Sequence, residues 1–104
     1  MVYTARVLEI VKSETFDAWF SSLKDRQAKA RILARIDRLG LGNPGDVKPV
    51  GSGVSEMRID YGPGYRVYYL QSGPVVVVLL CGGDKSTQSA DIKRAIAISK
   101  AWKG

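Results

Sequence analysis

Residues 54–86 read VSEMRIDYGPGYRVYYLQSGPVVVVLLCGGDKS. In Ser55–Tyr61, Met57, Ile59 and Tyr61 alternate with Glu56, Arg58 and Asp60, the period-two pattern of a half-buried strand. Gly62-Pro63-Gly64 supplies a tight turn, and Tyr65–Leu70 reads as the return strand. A second turn follows at Gln71-Ser72-Gly73-Pro74. Val75–Cys81 is apolar at every position, which predicts a strand covered on both faces and therefore the central strand of the sheet. Gly82 and Gly83 then break the strand pattern.

Upstream, Val2–Val11 is rich in β-branched and apolar residues and predicts a first strand, with Ser13 as a helix cap after it. Phe16, Trp19, Phe20 and Leu23 recur at helical spacing and make one apolar stripe, while Glu14 and Asp17 suit the positive end of the helix dipole. Asp25 can cap a second helix whose inner stripe is Ala28, Ile32, Ile36 and Leu39, ended by Gly40 or Gly42. So short a connection predicts an antiparallel helical hairpin. Leu41–Gly53 holds Gly, Asn, Pro and Asp and reads as a loop. A last helix is expected from Thr87 or Ser89 to about Trp102, with Ile92, Ala95, Ile96 and Trp102 packed inward. The order β-α-α-β-β-β-α defines a small α+β fold with a twisted, mainly antiparallel sheet.

Length and composition bound the function. A chain of 104 residues suits one domain spanning 1–104. With 45% hydrophobic and 25% charged residues it has globular rather than disordered composition. The net charge of +6 favours polyanionic partners. The chain has no histidine, which removes the commonest general acid/base and the commonest transition-metal ligand. Cys81 is the only cysteine, so no internal disulfide or thiolate cluster can form, and its place at the end of an apolar run marks it as a core residue. No secretory signal and no run long enough to span a bilayer is seen, so a cytoplasmic protein is expected, with no membrane partner, no metal and no small-molecule cofactor.

The polar side of the hairpin carries the chemistry. Arg58 shares a strand face with Glu56 and Asp60. Arg66 joins that face if Asp60 pairs with Gly64 or with Arg66, and a slip of one residue would send it to the other side. Tyr68 has the same parity as Arg66, and Lys85 emerges where the third strand ends. Such a cluster of cations repels itself and needs anions. Internal ones are available in Glu56, Asp60 and Asp84, which would make an ordinary surface ion-pair network worth about 0–1 kcal/mol per pair. The functional alternative is a phosphodiester: Arg binds phosphate through two parallel donors, Lys acts as a point charge, and Tyr can stack on an unpaired base. Along the second helix, Arg26, Lys29, Arg31, Arg35 and Arg38 form a charged outer face, some of which can extend a polyanion footprint. Gly82-Gly83-Asp84-Lys85-Ser86-Thr87 lacks the earlier glycine of a nucleotide-binding loop, and that class is rejected.

Three local patterns, in order, are Gly53-Val54-Ser55-Glu56-Met57-Arg58-Ile59, Gly64-Tyr65-Arg66-Val67-Tyr68-Tyr69, and Gly83-Asp84-Lys85-Ser86-Thr87-Gln88 followed by a helix with Asp91-Ile92-Lys93-Arg94-Ala95. With them the chain resembles the RelE/ParE superfamily of toxins from bacterial toxin–antitoxin modules, most of all the HigB-like addiction module killer proteins. The resemblance implies a fold like that of microbial ribonucleases, and cleavage of mRNA in the ribosomal A site with the RNA 2′-hydroxyl as nucleophile. It also implies neutralisation by a helix-turn-helix antitoxin. Carried over by position, Arg58, Arg66 and Lys85 become the catalytic cations; Tyr65, Tyr68, Asp84 and Gln88 are the candidate RNA-contacting residues around them. Family members often carry a tyrosine or histidine near the C-terminal end of the site, where this chain reads Gln88-Ser89-Ala90-Asp91. Lys85 is the nominated general base, with Asp84 and then Glu56 as alternatives. A ParE-like gyrase inhibitor without chemistry of its own, and a non-toxic antitoxin-binding component, are the competing functions.

Overall fold

The computed structural model describes residues 7–103. The elements are β1 (Glu9–Lys12), α1 (Glu14–Ser22), α2 (Arg26–Gly40), β2 (Val47–Gly51), β3 (Val54–Ile59), β4 (Tyr65–Ser72), β5 (Val76–Asp84), a 3-10 turn at Lys85–Thr87, and α3 (Gln88–Lys103). The first strand expected from residue 2 runs over Glu9–Lys12, and residues 2–6 of that expectation lie outside the described residues.

Local chemistry explains the helix boundaries. The Phe16 amide donates to Ser13 Oγ at 3.0 Å, and the Ser13 hydroxyl donates to the Leu80 carbonyl at 2.6 Å, so one cap also ties α1 to β5. The amides of Gln27 and Ala28 donate to Asp25 Oδ1 at 2.9 and 3.2 Å, which starts α2 as expected. Helix α2 ends where Gly42 adopts a φ of +90°, a conformation open to glycine.

The five strands form one sheet in the order β1-β5-β4-β3-β2, antiparallel throughout except for the parallel pair β1 and β5. Two apolar clusters lie on its two faces. Phe16 of α1 and Ile32, Ile36 and Leu39 of α2 cover Met57, Ile59, Val67, Tyr69, Val77 and Leu79. Ala95 of α3 covers Val54, Tyr68, Leu70, Val78, Leu80 and Cys81 on the other face. The alternation in β4 and β5 therefore serves two cores.

Several expectations change. Leu41–Gly53 is not all loop: Val47–Gly51 pairs with β3 as the outermost strand. Its sequence, VKPVG, carries a proline and a lysine, both suited to an edge strand and both poor signals of any strand. The middle strand is β4, not the apolar β5, which lies between β1 and β4. The ladder shifts between Tyr68 and Tyr69, where Tyr68 faces Cys81 but Tyr69 faces Leu79. This bulge puts both Leu80 and Cys81 into the α3-side core. Gly82 and Gly83 do not end β5 but continue it to Asp84. A Cβ at Gly82 would stand 2.3 Å from the Trp19 ring, and one at Gly83 would stand 1.8 Å from Asp91 Oδ2. The glycines are there because side chains from α1 and α3 press onto the strand from opposite sides. Trp102, expected to pack inward, is 48% exposed, since burial along α3 stops at Ser99.

Candidate phosphate-binding site

The β3–β4 ladder pairs Glu56 with Tyr68, Met57 with Val67, and Arg58 with Arg66. This is the like-parity register, so Arg58 and Arg66 project from one face, beyond the part that α3 covers. The gradient along that face is steep: the Glu56 side chain is 0% exposed, Arg66 13% and Arg58 34%. Lys85 arrives from the turn after β5. Arg58, Arg66 and Lys85 together line a cavity of about 290 Å³, with Asp46, Ile59, Asp60 and Gly64 completing it.

Gly64 makes room for this convergence. Its φ is +80°, and a Cβ there would lie 3.4 Å from Arg66 Nη1 and 3.5 Å from Lys85 Cβ. Arg66 Nη1 donates to the Gly64 carbonyl at 3.0 Å, which fixes the guanidinium across the hairpin turn.

Beneath the cavity lies Glu56. Its Oε1 accepts from Arg58 Nε at 3.1 Å and lies 3.8 Å from Arg66 Nε. Its Oε2 accepts from Tyr68 OH at 3.0 Å and from Gln88 Nε2 at 2.8 Å. Burial pushes this carboxyl up. The hydrogen bonds from Gln88, Arg58 and Tyr68, with the charge of Arg66, outweigh that and hold it below its ordinary value of 4.5. Glu56 is thus a buried anion bound to both arginines, not a member of a surface ion-pair network. Among the described residues these are the ion pairs within 4 Å. Arg66 Nε is buried and lacks a hydrogen-bond partner.

The expected RNA-contacting residues scatter. Tyr65 faces the opposite side of the sheet, where its ring meets Trp19 edge-on at 6.3 Å between centroids. Tyr68 is fully buried, so its ring has no surface on which a base could stack. Burial, and then the hydrogen bond to Glu56, raise its phenol far above the ordinary range. Gln88, the first residue of α3, is committed to Glu56. Asp84 caps the following turn: its Oδ1 accepts from the Ser86 amide at 2.8 Å and from the Ser86 hydroxyl at 2.5 Å, which lowers its pKa. Thr87 Oγ1 donates to Asp91 Oδ2 at 2.5 Å and pins that turn to α3.

Sequence reasoning missed Asp46, because it sits just before the unrecognised strand β2. Its carbonyl accepts from the Arg58 amide at 3.0 Å. Arg35, expected on the charged outer face of α2, instead donates to the carbonyls of Arg58, Pro44 and Asp46 and so braces α2 against the cavity's outer wall. The i, i+2 spacing of Glu56 and Arg58 was the available signal for the buried anion. Among the described residues no three His, Cys, Asp or Glu side chains gather in a way that would hold a metal ion. No helix among them is long and apolar enough to cross a membrane.

Residues 18–103 match the family model of the phage-derived protein Gp49-like family (DUF891). The chain belongs to this family, a RelE/HigB-type toxin family associated with toxin–antitoxin modules. It is also 57% identical over 88 residues to an uncharacterized protein of Haemophilus influenzae strain Rd, a match that covers 85% of this chain and 89% of that protein. Family membership implies an antitoxin partner.

Proposed function

We propose that this protein is the HigB-like toxin of a type II toxin–antitoxin module: one domain over residues 1–104 that cleaves mRNA on the ribosome and halts translation in the cytoplasm. One observation carries the reading. Two guanidiniums and an ammonium line the same cavity of about 290 Å³, in a chain of a toxin family.

The reaction is a transesterification at phosphorus. The RNA 2′-hydroxyl loses its proton, and its oxygen attacks the adjacent phosphorus. The bond to the 5′-oxygen breaks, and that oxygen takes a proton from solvent. The products are a 2′,3′-cyclic phosphate and a free 5′-hydroxyl. Arg58 and Arg66 hold the non-bridging oxygens as charge builds on the pentacovalent phosphorane, where fixed donors matter most. Their fixed geometry comes from Glu56 below and the Gly64 carbonyl beside them. Lys85 takes the 2′ proton in its neutral amine form, and in its ammonium form it adds only charge to the cavity. Glu56 does not, because it is fully buried and both its oxygens are engaged. Asp84 is occupied by Ser86. The ribosome supplies the in-line placement of the strand. A helix-turn-helix antitoxin neutralises the toxin.

The test is to induce the chain without an antitoxin and map transcript 5′ ends. New 5′ ends within open reading frames, absent with Arg66→Ala, support the reading. Double-strand DNA breaks with intact transcripts would replace it with gyrase poisoning, and harmless expression would leave only an antitoxin-binding component.

A further inference from the structure

A second cavity, of about 280 Å³, lies on the α2 side of the sheet and is lined by Arg31, Ala34, Arg35 and Arg38 of that helix. The two cavities share Ile59 and Asp60 as a common wall. The three arginines are spaced i, i+4 and i+7, so they form one stripe on the helix, and like charges at that spacing repel. None has a carboxylate within 4 Å among the described residues, since the ion pairs there are those of Glu56 with Arg58 and Arg66.

The three side chains differ in what they already do. Arg35 is spent on backbone carbonyls, including that of Arg58, which fixes one positive charge at the seam between the cavities. Arg31 lies over the Tyr61 ring at 4.7 Å from its centroid. Tyr61 is itself held by its hydroxyl, near Asp25 Oδ2 at 3.1 Å and Gln27 Oε1 at 3.0 Å. Arg38 is exposed and makes no side-chain hydrogen bond among the described residues. Ala34 and Ile59 add an apolar part to the lining.

We infer that the α2 cleft is a second phosphate station for the same RNA strand. It binds another backbone phosphate of that strand, so single-stranded RNA is read across two cavities that meet at Ile59 and Asp60. This rests on the endonuclease reading above. A nucleic acid fits better than an acidic protein segment because the cleft adjoins the reaction cavity through a shared wall, and an RNA strand brings phosphates at a regular interval to both. Asp60, in that wall, repels a phosphate between the stations and keeps them separate. Arg31 and Arg38 supply the attraction and Arg35 the fixed field.

The experiment measures binding of fluorescent 2′-O-methyl RNA, which cannot be cleaved, as a hexanucleotide and as a dinucleotide. The native protein is compared with Arg31→Ala/Arg38→Ala, with Arg38→Glu and with Arg66→Ala, each checked for native circular dichroism. Arg31 and Arg38 are exposed, so their replacement spares the core. The double variant is expected to bind the hexanucleotide about tenfold more weakly, with a log K against log salt slope shallower by about one, and to bind the dinucleotide as before. Arg38→Glu weakens the hexanucleotide further. Arg66→Ala weakens both ligands. If the double variant binds the hexanucleotide with native affinity and slope while Arg66→Ala does not, the α2 station is overturned and the endonuclease reading stands. If a hexaglutamate peptide depends on Arg31 and Arg38 but RNA does not, the cleft belongs to an acidic protein segment and the inference falls. If Arg66→Ala changes neither RNA affinity, the endonuclease reading fails first.

Discussion

Arg58 and Arg66 face one another directly across the β3–β4 ladder, and the buried carboxylate of Glu56 lies under both. Like charges opposed in a sheet destabilise it. Here the repulsion is offset from below by an anion that solvent does not reach. The same arrangement aims two guanidiniums into one cavity. The stability of the sheet and the geometry of the cavity therefore meet at Glu56.

Removing one partner of a buried charge pair costs about 3–5 kcal/mol, because the remaining charges are stranded. Glu56→Ala is expected to lower stability by at least about 3 kcal/mol, which for a chain of this size is roughly 12–24 °C in Tm. Glu56→Gln keeps the acceptor for Tyr68 or Gln88 but loses the charge, and should fall between native and Glu56→Ala. Thermal melts of both variants check this; a Glu56→Ala protein with native Tm contradicts the hub.

The same carboxyl sets an acid limit. Its folded pKa lies below the ordinary value, so the native state binds fewer protons than the unfolded state in that range. Its contribution is fully present above the unfolded pKa of about 4.5 and is lost as pH falls through the lower folded value. Asp84 shifts in the same direction and adds to the loss. Urea midpoints measured downward from pH 6 should drop below about pH 4.5, and less steeply in Glu56→Gln.

Arg66→Ala should lose activity beyond any loss of stability, because Glu56 keeps Arg58, Tyr68 and Gln88 as partners without Arg66. Losing one fixed donor to a developing anion typically costs about 10²–10³ in rate. Arg66→Ala is expected to lose that much cleavage in a translation extract programmed with a defined mRNA, with native circular dichroism. Full cleavage by a folded Arg66→Ala protein removes the site.

The glycines of β5 give a packing prediction. Adding a methyl group at Gly83 drives it into the Asp91 carboxylate and displaces the acceptor of Thr87, and at Gly82 it drives into the Trp19 ring. Overpacking usually costs about 1–3 kcal/mol. Gly82→Ala and Gly83→Ala should each fall at the upper end of that range or beyond by chemical denaturation, because the obstruction is a ring in one case and a pinned carboxylate in the other.

Cys81 should be inert in the native protein. Burial first, and then the charge of Asp91, push its thiol up to about 12, and its Sγ donates to the Asp91 carbonyl at 3.6 Å. A thiol reagent at pH 8 should modify it only after denaturant is added; rapid labelling of folded protein contradicts this.

Much of this was legible along the chain. Ser13 and Asp25 announced both early helices because a cap is a local interaction between neighbouring residues. Met57 and Ile59 announced a strand face, and the Gly62-Pro63-Gly64 turn announced the hairpin. Strand β2 was not legible, since an edge strand with proline has little periodicity to read. The positions of Tyr65 and Tyr68 were not legible either. Tyrosine suits a wet or a buried site, and only the helix laid on each face decides which.

Local patterning thus settled the helices and the strands other than β2, and which parity of β3 carries the cations. Whether those cations meet was a matter of register and covering layers. One pairing between Arg58 and Arg66, one helix that stops short of them, and one carboxylate sealed beneath them converted a charge pattern into a cavity. Such contacts join residues far apart in the chain, so their outcome depends on how whole faces pack, which no short window of sequence contains.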